Sequence, residues 1–125
     1  FLDGFSGTVE DGDMIFLSDP YSVGGAISHC NDWLVLLPVF RDGRLVAYTS
    51  MFGHQSDIGG KVPGSMPIDA TSIFQEGVRI PPVKIWKKGE YNEELVKLVL
   101  HQVRTPDWCK ADLNALIAAC RVAAR

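Results

Sequence analysis

Two short segments carry the residue types best suited to chemistry: His29-Cys30-Asn31-Asp32 and His54-Gln55-Ser56-Asp57, each a His followed three residues later by an Asp. The chain has three histidines, so only His101 lies outside this repeated pattern. Imidazole and carboxylate together suit a divalent transition metal such as Zn, Mn or Fe. The same spacing also suits a simpler arrangement, in which each Asp hydrogen-bonds its own His and fixes the tautomer. Cys30, inside the first pair, is a candidate soft ligand or nucleophile, but a nucleophile needs a base and an oxyanion site beside it. Lys61, after Gly59-Gly60, could steer an anion or simply be a solvated charge. Glu76 reads as a candidate base or as a charge at a helix end. His101 reads as an ordinary helix histidine, and Trp33, Trp86 and Trp108 as core or subunit-contact residues.

The segment between the two pairs must bring them together. Leu34 to Phe40 and Leu45 to Phe52 are apolar runs flanking Arg41-Asp42-Gly43-Arg44, and Asp-Gly between apolar runs is a strong signal for a two-residue hairpin turn. Pairing the runs brings their outer ends, and hence His29, Asp32, His54 and Asp57, to one place. Strands apolar on both faces are usually covered on both, which makes this antiparallel hairpin central to a larger assembly. Pro38 marks a bulge or an edge.

Around the hairpin, Gly4, Gly7, Asp11 and Gly12 predict turns, followed by a strand over Met14–Ser18 that Asp19-Pro20 ends. Tyr21 to Ser28, with Gly24-Gly25, predicts a loop, and Asp19-Pro20-Tyr21 a structural corner or a wall of the site. Residues 53–77 form a long Gly/Pro-rich loop, with room for one helical turn ending at Gly77; loops of that length are commonly functional. Val78 to Trp86 reads as extended. Two helices close the chain: the first is capped by Asn92, with Leu95, Val96, Leu98, Val99 and Val103 as its apolar face. Thr105-Pro106-Asp107 opens the second, which carries Leu113, Leu116, Ile117 and Cys120. The expected class is α+β (mixed α/β), with residues 1–125 a single segment of a larger domain.

Composition narrows the function. At 125 residues, 46% hydrophobic, 22% charged and a net charge of −3, the chain suits an ordinary globular fold, with no basic cluster for nucleic acid. It has no apolar run of membrane-spanning length. Three cysteines without framework spacing suit reduced thiols in the cytoplasm. The start at Phe1, without Met or leader, suggests a piece of something longer.

The ordered motifs Ser18-Asp19-Pro20-Tyr21, Gly24-Gly25, His29–Asp32, Pro38-Val39-Phe40 and Gly53-His54-Gln55-Ser56-Asp57-Ile58-Gly59-Gly60 resemble those of the hydantoinase B/oxoprolinase family. So do Pro63-Gly64-Ser65-Met66-Pro67, Asp69-Ala70-Thr71, Ile73-Phe74-Gln75-Glu76-Gly77, Ile80-Pro81-Pro82-Val83-Lys84 and Val103-Arg104-Thr105-Pro106. The resemblance covers most of the chain. It implies an enzyme segment of an ATP-dependent hetero-oligomer that hydrolyses cyclic amides of hydantoin or oxoproline type, or carboxylates ketones such as acetone and acetophenone. It implies a hydantoinase A-type partner subunit that handles ATP. It also implies a divalent metal, Zn or Mn, on His29, Asp32 and His54, with Asp57 a further ligand or the group that orients His54. Asp57 and Glu76 are the candidate catalytic residues. Gln55 stands where many family members carry a second His. The competing expectation is a non-catalytic structural or assembly fragment whose His–Asp pairs only hydrogen-bond.

Overall fold

The computed structural model describes residues 9–125; the turns expected at Gly4 and Gly7 lie outside them. Five strands form one antiparallel sheet: β1 (Met14–Leu17), β2 (Asp32–Arg41), β3 (Arg44–His54), β4 (Val83–Lys87) and β5 (Glu90–Tyr91). Their order is β3-β2-β1-β4-β5. Two helices, α1 (Glu93–Leu100) and α2 (Pro106–Ala123), follow. This is the expected α+β class with the expected hairpin, long loop and C-terminal helices.

The two-residue alternation of a strand explains why the central strands are apolar throughout. Met14 and Phe16 of β1 and Trp33 and Val35 of β2 face the helices. They pack there with Val96 and Val99 of α1 and Cys109, Leu113, Leu116, Ile117 and Cys120 of α2. Ile15, Leu17 and Leu36 face the other way and are covered by Val23 and Ile27, from the segment between β1 and β2. That segment opens with a 3-10 turn at Tyr21–Val23, and Asp19 holds the corner by accepting from the Tyr21 N–H at 3.1 Å and the Ser22 hydroxyl at 2.7 Å. β3 is the outer strand of the sheet and is largely exposed, with α2 packed on its helix-side face. Gly53 makes room there, since a Cβ at that position would sit 3.3 Å from Leu116 Cδ2.

The helix starts follow from their sequences. The Asn92 side chain accepts from the Leu95 N–H at 3.1 Å, and Glu93 and Glu94 occupy the positive end of α1. Thr105 precedes Pro106 as expected but gives no side-chain cap; its hydroxyl lies 3.7 Å from Cys109 Sγ instead. Leu98, placed on the apolar face by spacing, is exposed, while Val103 is buried just beyond α1. Trp33 is fully buried and Trp108 is exposed. No helix among the described residues is long and apolar enough to cross a membrane.

The hairpin ladder decides where the site forms. Asp42 and Gly43 make the turn, both at positive φ (51° and 73°), as a type I′ turn requires. The ladder begins at Arg41↔Arg44 and Phe40↔Leu45 but continues as Val39↔Ala47, leaving Val46 as an extra residue on β3. This irregularity falls one residue after Pro38, and β2 is unpaired with β1 beyond Leu36, so the Pro marks both a bulge and a local edge. An unbulged ladder from the same turn would set Asp32 opposite Gly53. With the bulge, Asp32 is opposite His54.

Candidate metal centre

Cross-strand partners place their Cβ atoms about 4.5–5.5 Å apart on one face of the sheet. The Asp32↔His54 pair accordingly brings His54 Nδ1 to 3.3 Å from Asp32 Oδ1. His29 arrives by a tight turn, in which its carbonyl accepts from the Asp32 N–H at 3.1 Å. That turn sets His29 Nε2 3.3 Å from Asp32 Oδ2. One carboxylate thus lies between two imidazoles, whose ring centroids are 4.8 Å apart. His29, Asp32 and His54 each offer a ligand atom, all within 4.8 Å of one another.

The donor set fits a divalent cation. His29 faces Asp32 Oδ2 and His54 faces Asp32 Oδ1, each at 3.3 Å, close to the roughly 3.3 Å between neighbouring ligand atoms of a tetrahedral zinc and equally within reach of a His–Asp hydrogen bond. The Asp32 side chain is only 11% exposed, whereas those of His29 and His54 are 31% and 48% exposed. The cluster therefore faces solvent on its histidine side, in the manner of metal sites that keep a coordination position open for water or substrate.

Two neighbours with no role in the sequence reading hold this geometry. Ser28 donates its hydroxyl to Asp32 Oδ2 at 3.1 Å. Asn31, fully buried, ties the two histidine-bearing segments together: its carbonyl accepts from the Gln55 N–H at 2.8 Å, and its side-chain amide donates to the Gln55 carbonyl at 3.1 Å. The two bonds fix the backbone beside His54 against the turn that carries His29. Only the polar residue type hinted at this role; its partner lies 24 residues away.

Asp57, expected beside His54, lies elsewhere. Its carboxylate accepts from the N–H groups of Gly59 and Gly64, both at 2.8 Å, and from Arg104 Nη1 at 3.1 and 3.2 Å. Arg104 also donates to the carbonyls of Gly59, Gly60 and Val62. Both oxygens are committed, so Asp57 neither joins the ligand group nor orients His54; it fastens the long loop to the start of α2. Burial pushes its carboxyl up, but the Gly59 and Gly64 amides and the Arg104 guanidinium outweigh that and hold it below the usual carboxylate range. A carboxyl whose folded pKa is lowered adds stability that is complete above its unfolded value, about 4. That stability is lost as pH falls through the folded value. The wild-type subunit is therefore expected to lose melting temperature on acidification from pH 5 towards pH 3, and Arg104→Met to show a shallower loss from a lower start. Melting curves across that range check this; parallel pH profiles would sink the assignment.

Glu76, read from the sequence as a candidate base or a helix-end charge, lies at a cavity that His29 also lines. That cavity, of about 280 Å³, is lined in addition by Asn31, Ser65, Met66, Pro67 and Ile68. The Glu76 backbone is placed by a 3-10 turn, Ile73–Gln75, and by the Gly60 backbone packed against it. Cys30 is fully buried, and burial, with help from the Glu76 and Asp19 charges, pushes its thiol up to about 11. A buried thiol of that acidity is a poor nucleophile at neutral pH. Lys61 is engaged by Asp69 at 2.6 Å, and His101 is exposed at the end of α1.

With this geometry in view, the chain belongs to the hydantoinase B/oxoprolinase family, whose model matches residues 1–125. Caprolactamase subunit beta from Pseudomonas jessenii is 41% identical over 121 residues, which make up 97% of this chain and 20% of that protein. The acetophenone carboxylase delta subunit of Aromatoleum aromaticum is 35% identical over 115 residues, covering 91% of this chain and 16% of that protein. The crystal structure of the ATP-dependent caprolactamase from P. jessenii superposes with a TM-score of 0.86 at 41% identity, covering 96% of this chain and 20% of that one. A nucleotide-free acetone carboxylase structure shares the fold, with a TM-score of 0.85 at 23% identity. The chain thus spans a fifth or less of the length of these relatives.

Proposed function

We propose that this segment supplies the carbonyl-activating centre of a hydantoinase B-type subunit, with His29, Asp32 and His54 holding a divalent metal, Zn or Mn. Residues 1–125 serve as one segment of that larger domain. The subunit works in the cytoplasm as part of a hetero-oligomer with a hydantoinase A-type, ATP-handling partner, and acts on a cyclic amide. Three donor atoms gathered beside an accessible cavity carry this reading. Kinship with caprolactamase subunit beta favours an amide over a ketone as substrate.

A bound cation would supply Lewis acidity to a substrate carbonyl. The chain's own residues do the rest. Asp32 lies between the two imidazoles and would offset the charge of a bound cation, while Ser28 and Asn31 keep the carboxylate and the His54 backbone in place. Glu76 shares the cavity with His29 and is the proposed group for moving a proton between water and the amide nitrogen.

The test is elemental analysis of the full-length subunit, purified with its partner, beside His54→Ala. Near-stoichiometric Zn or Mn in the wild type, lost from the variant, is the expected result. Equal metal in both, or none in either after incubation with Zn and Mn, would sink the proposal in favour of hydrogen-bonded pairs alone.

A further inference from the structure

An apolar rim stands in water beside the His29–Asp32–His54 cluster. Met66 and Ile68, which line the cavity that His29 shares, are 59% and 103% exposed. Phe74, two residues before Glu76, is 75% exposed. Its ring centre lies 4.5 Å from the Arg79 guanidinium, and Arg79 lies 3.9 Å from Asp19, which holds the turn that presents exposed Tyr21. Phe52, two residues before His54 on β3 and so on the same face of the sheet, is exposed as well. Large apolar side chains gathered on one surface mark a place that another stretch of polypeptide covers.

The rim is presented by a fixed backbone. Buried Ser65 accepts from the Ile58 N–H at 2.8 Å and donates to the Gly59 carbonyl at 2.6 Å. Further along the loop, the Gln75 carbonyl accepts from the Lys61 N–H at 2.8 Å. The charges of the rim are answered within it: Lys61 pairs with Asp69, and Arg79 with Asp19. A surface that must find a separately folded partner uses unanswered charge to steer the encounter. A permanent interface instead resembles a domain core cut in half and is depleted of charge, and this rim has that second character. The chain corresponds to 20% of caprolactamase subunit beta, so a subunit of that length carries far more polypeptide outside these residues than within them.

We infer that the Met66–Ile68–Phe74 rim is a permanent intrachain interface, seated against polypeptide of the same subunit outside residues 1–125. The open, histidine side of the cluster is then enclosed by the subunit's own chain and not by the ATP-handling partner. The inference rests on the reading of these residues as one segment of a larger domain, and it does not depend on a bound cation.

Native Met66 supplies a probe that needs no substitution. The full-length subunit is treated with hydrogen peroxide, alone and assembled with its partner, and sulfoxide at Met66 is followed by peptide mass spectrometry beside Met14, which is buried within the segment. Met66 is expected to oxidise at least about tenfold more slowly than an unfolded control in both samples, approaching Met14. A photo-reactive benzoylphenylalanine in place of Ile68, whose side chain the segment leaves fully exposed, is expected to cross-link to a peptide of the same subunit beyond residues 1–125. Met66 oxidising at the unfolded rate in both samples would overturn the inference. So would protection that appears only with the partner, protection that fades on dilution of the subunit alone, or cross-links to the partner or to a second copy. Intact mass and metal content are read on the same samples, so failure of the larger-domain reading or of the metal reading is told apart from failure of the interface.

Discussion

Asp32→Ala in the full-length subunit is expected to lower metal affinity by on the order of 100-fold or more, with the fold retained. Asp32 is the single carboxylate of the cluster, 3.3 Å from each imidazole. Without it the proposed metal site would lose one ligand, its only negative charge, and the group that lies between His29 and His54. A divalent cation left on two half-exposed imidazoles competes poorly with its hydration shell. The structural cost is small by comparison. The side chain starts β2, and its removal leaves the Ser28 hydroxyl seeking another partner, a loss of about 1 kcal/mol. Competition against a chelator of known affinity, beside a thermal melt, separates the two effects. Undiminished affinity would remove Asp32 from the ligand set. A large fall in melting temperature without metal present would make it a structural residue instead.

The second large effect is expected at Gly60. Its φ is +80°, and a Cβ there would lie 2.5 Å from the Gln75 carbonyl oxygen, 2.6 Å from the Glu76 carbonyl carbon and 2.7 Å from its oxygen. All three are backbone atoms, held in part because the Lys61 N–H donates to the Gln75 carbonyl at 2.8 Å. Gly60→Ala therefore combines about 1–2 kcal/mol of left-handed strain with an overlap that costs about 1–3 kcal/mol more. The relief available is to push Gln75 and Glu76 away, which moves Glu76 relative to His29. The expected outcome is a loss of about 2–5 kcal/mol of stability, with metal content preserved in whatever folds, because the proposed ligands His29, Asp32 and His54 sit on the hairpin side of the loop. Gly24→Ala, also at positive φ but with open space around its Cβ position, is the control and is expected to cost only the strain. A Gly60→Ala melt matching that of Gly24→Ala would show that the close approach does not matter.

Much of the architecture was legible in local pattern because local chemistry causes it. Asp42-Gly43 forces a two-residue turn, Asn92 and Pro106 start helices, and the unbroken apolar character of β1 and β2 reflects cover on both faces. The His-x-x-Asp spacing at residue 29 was informative for the same reason, since three residues in a tight turn bring the two side chains together.

The identical spacing at residue 54 was not, because its partners are remote. Asp57 answers to the Gly64 amide and to Arg104, 47 residues on, while His54 answers to Asp32, 22 residues back. What decides between them is the ladder register. The extra residue Val46 shifts β3 by one position and sets His54 rather than Gly53 opposite Asp32. The sequence by itself determined the residue types, the turn and the helices, all governed by interactions within a few residues. The tertiary structure alone decided that one aspartate serves both histidines, because long-range pairing depends on a bulge and on loop closure, and i to i+3 spacing carries neither.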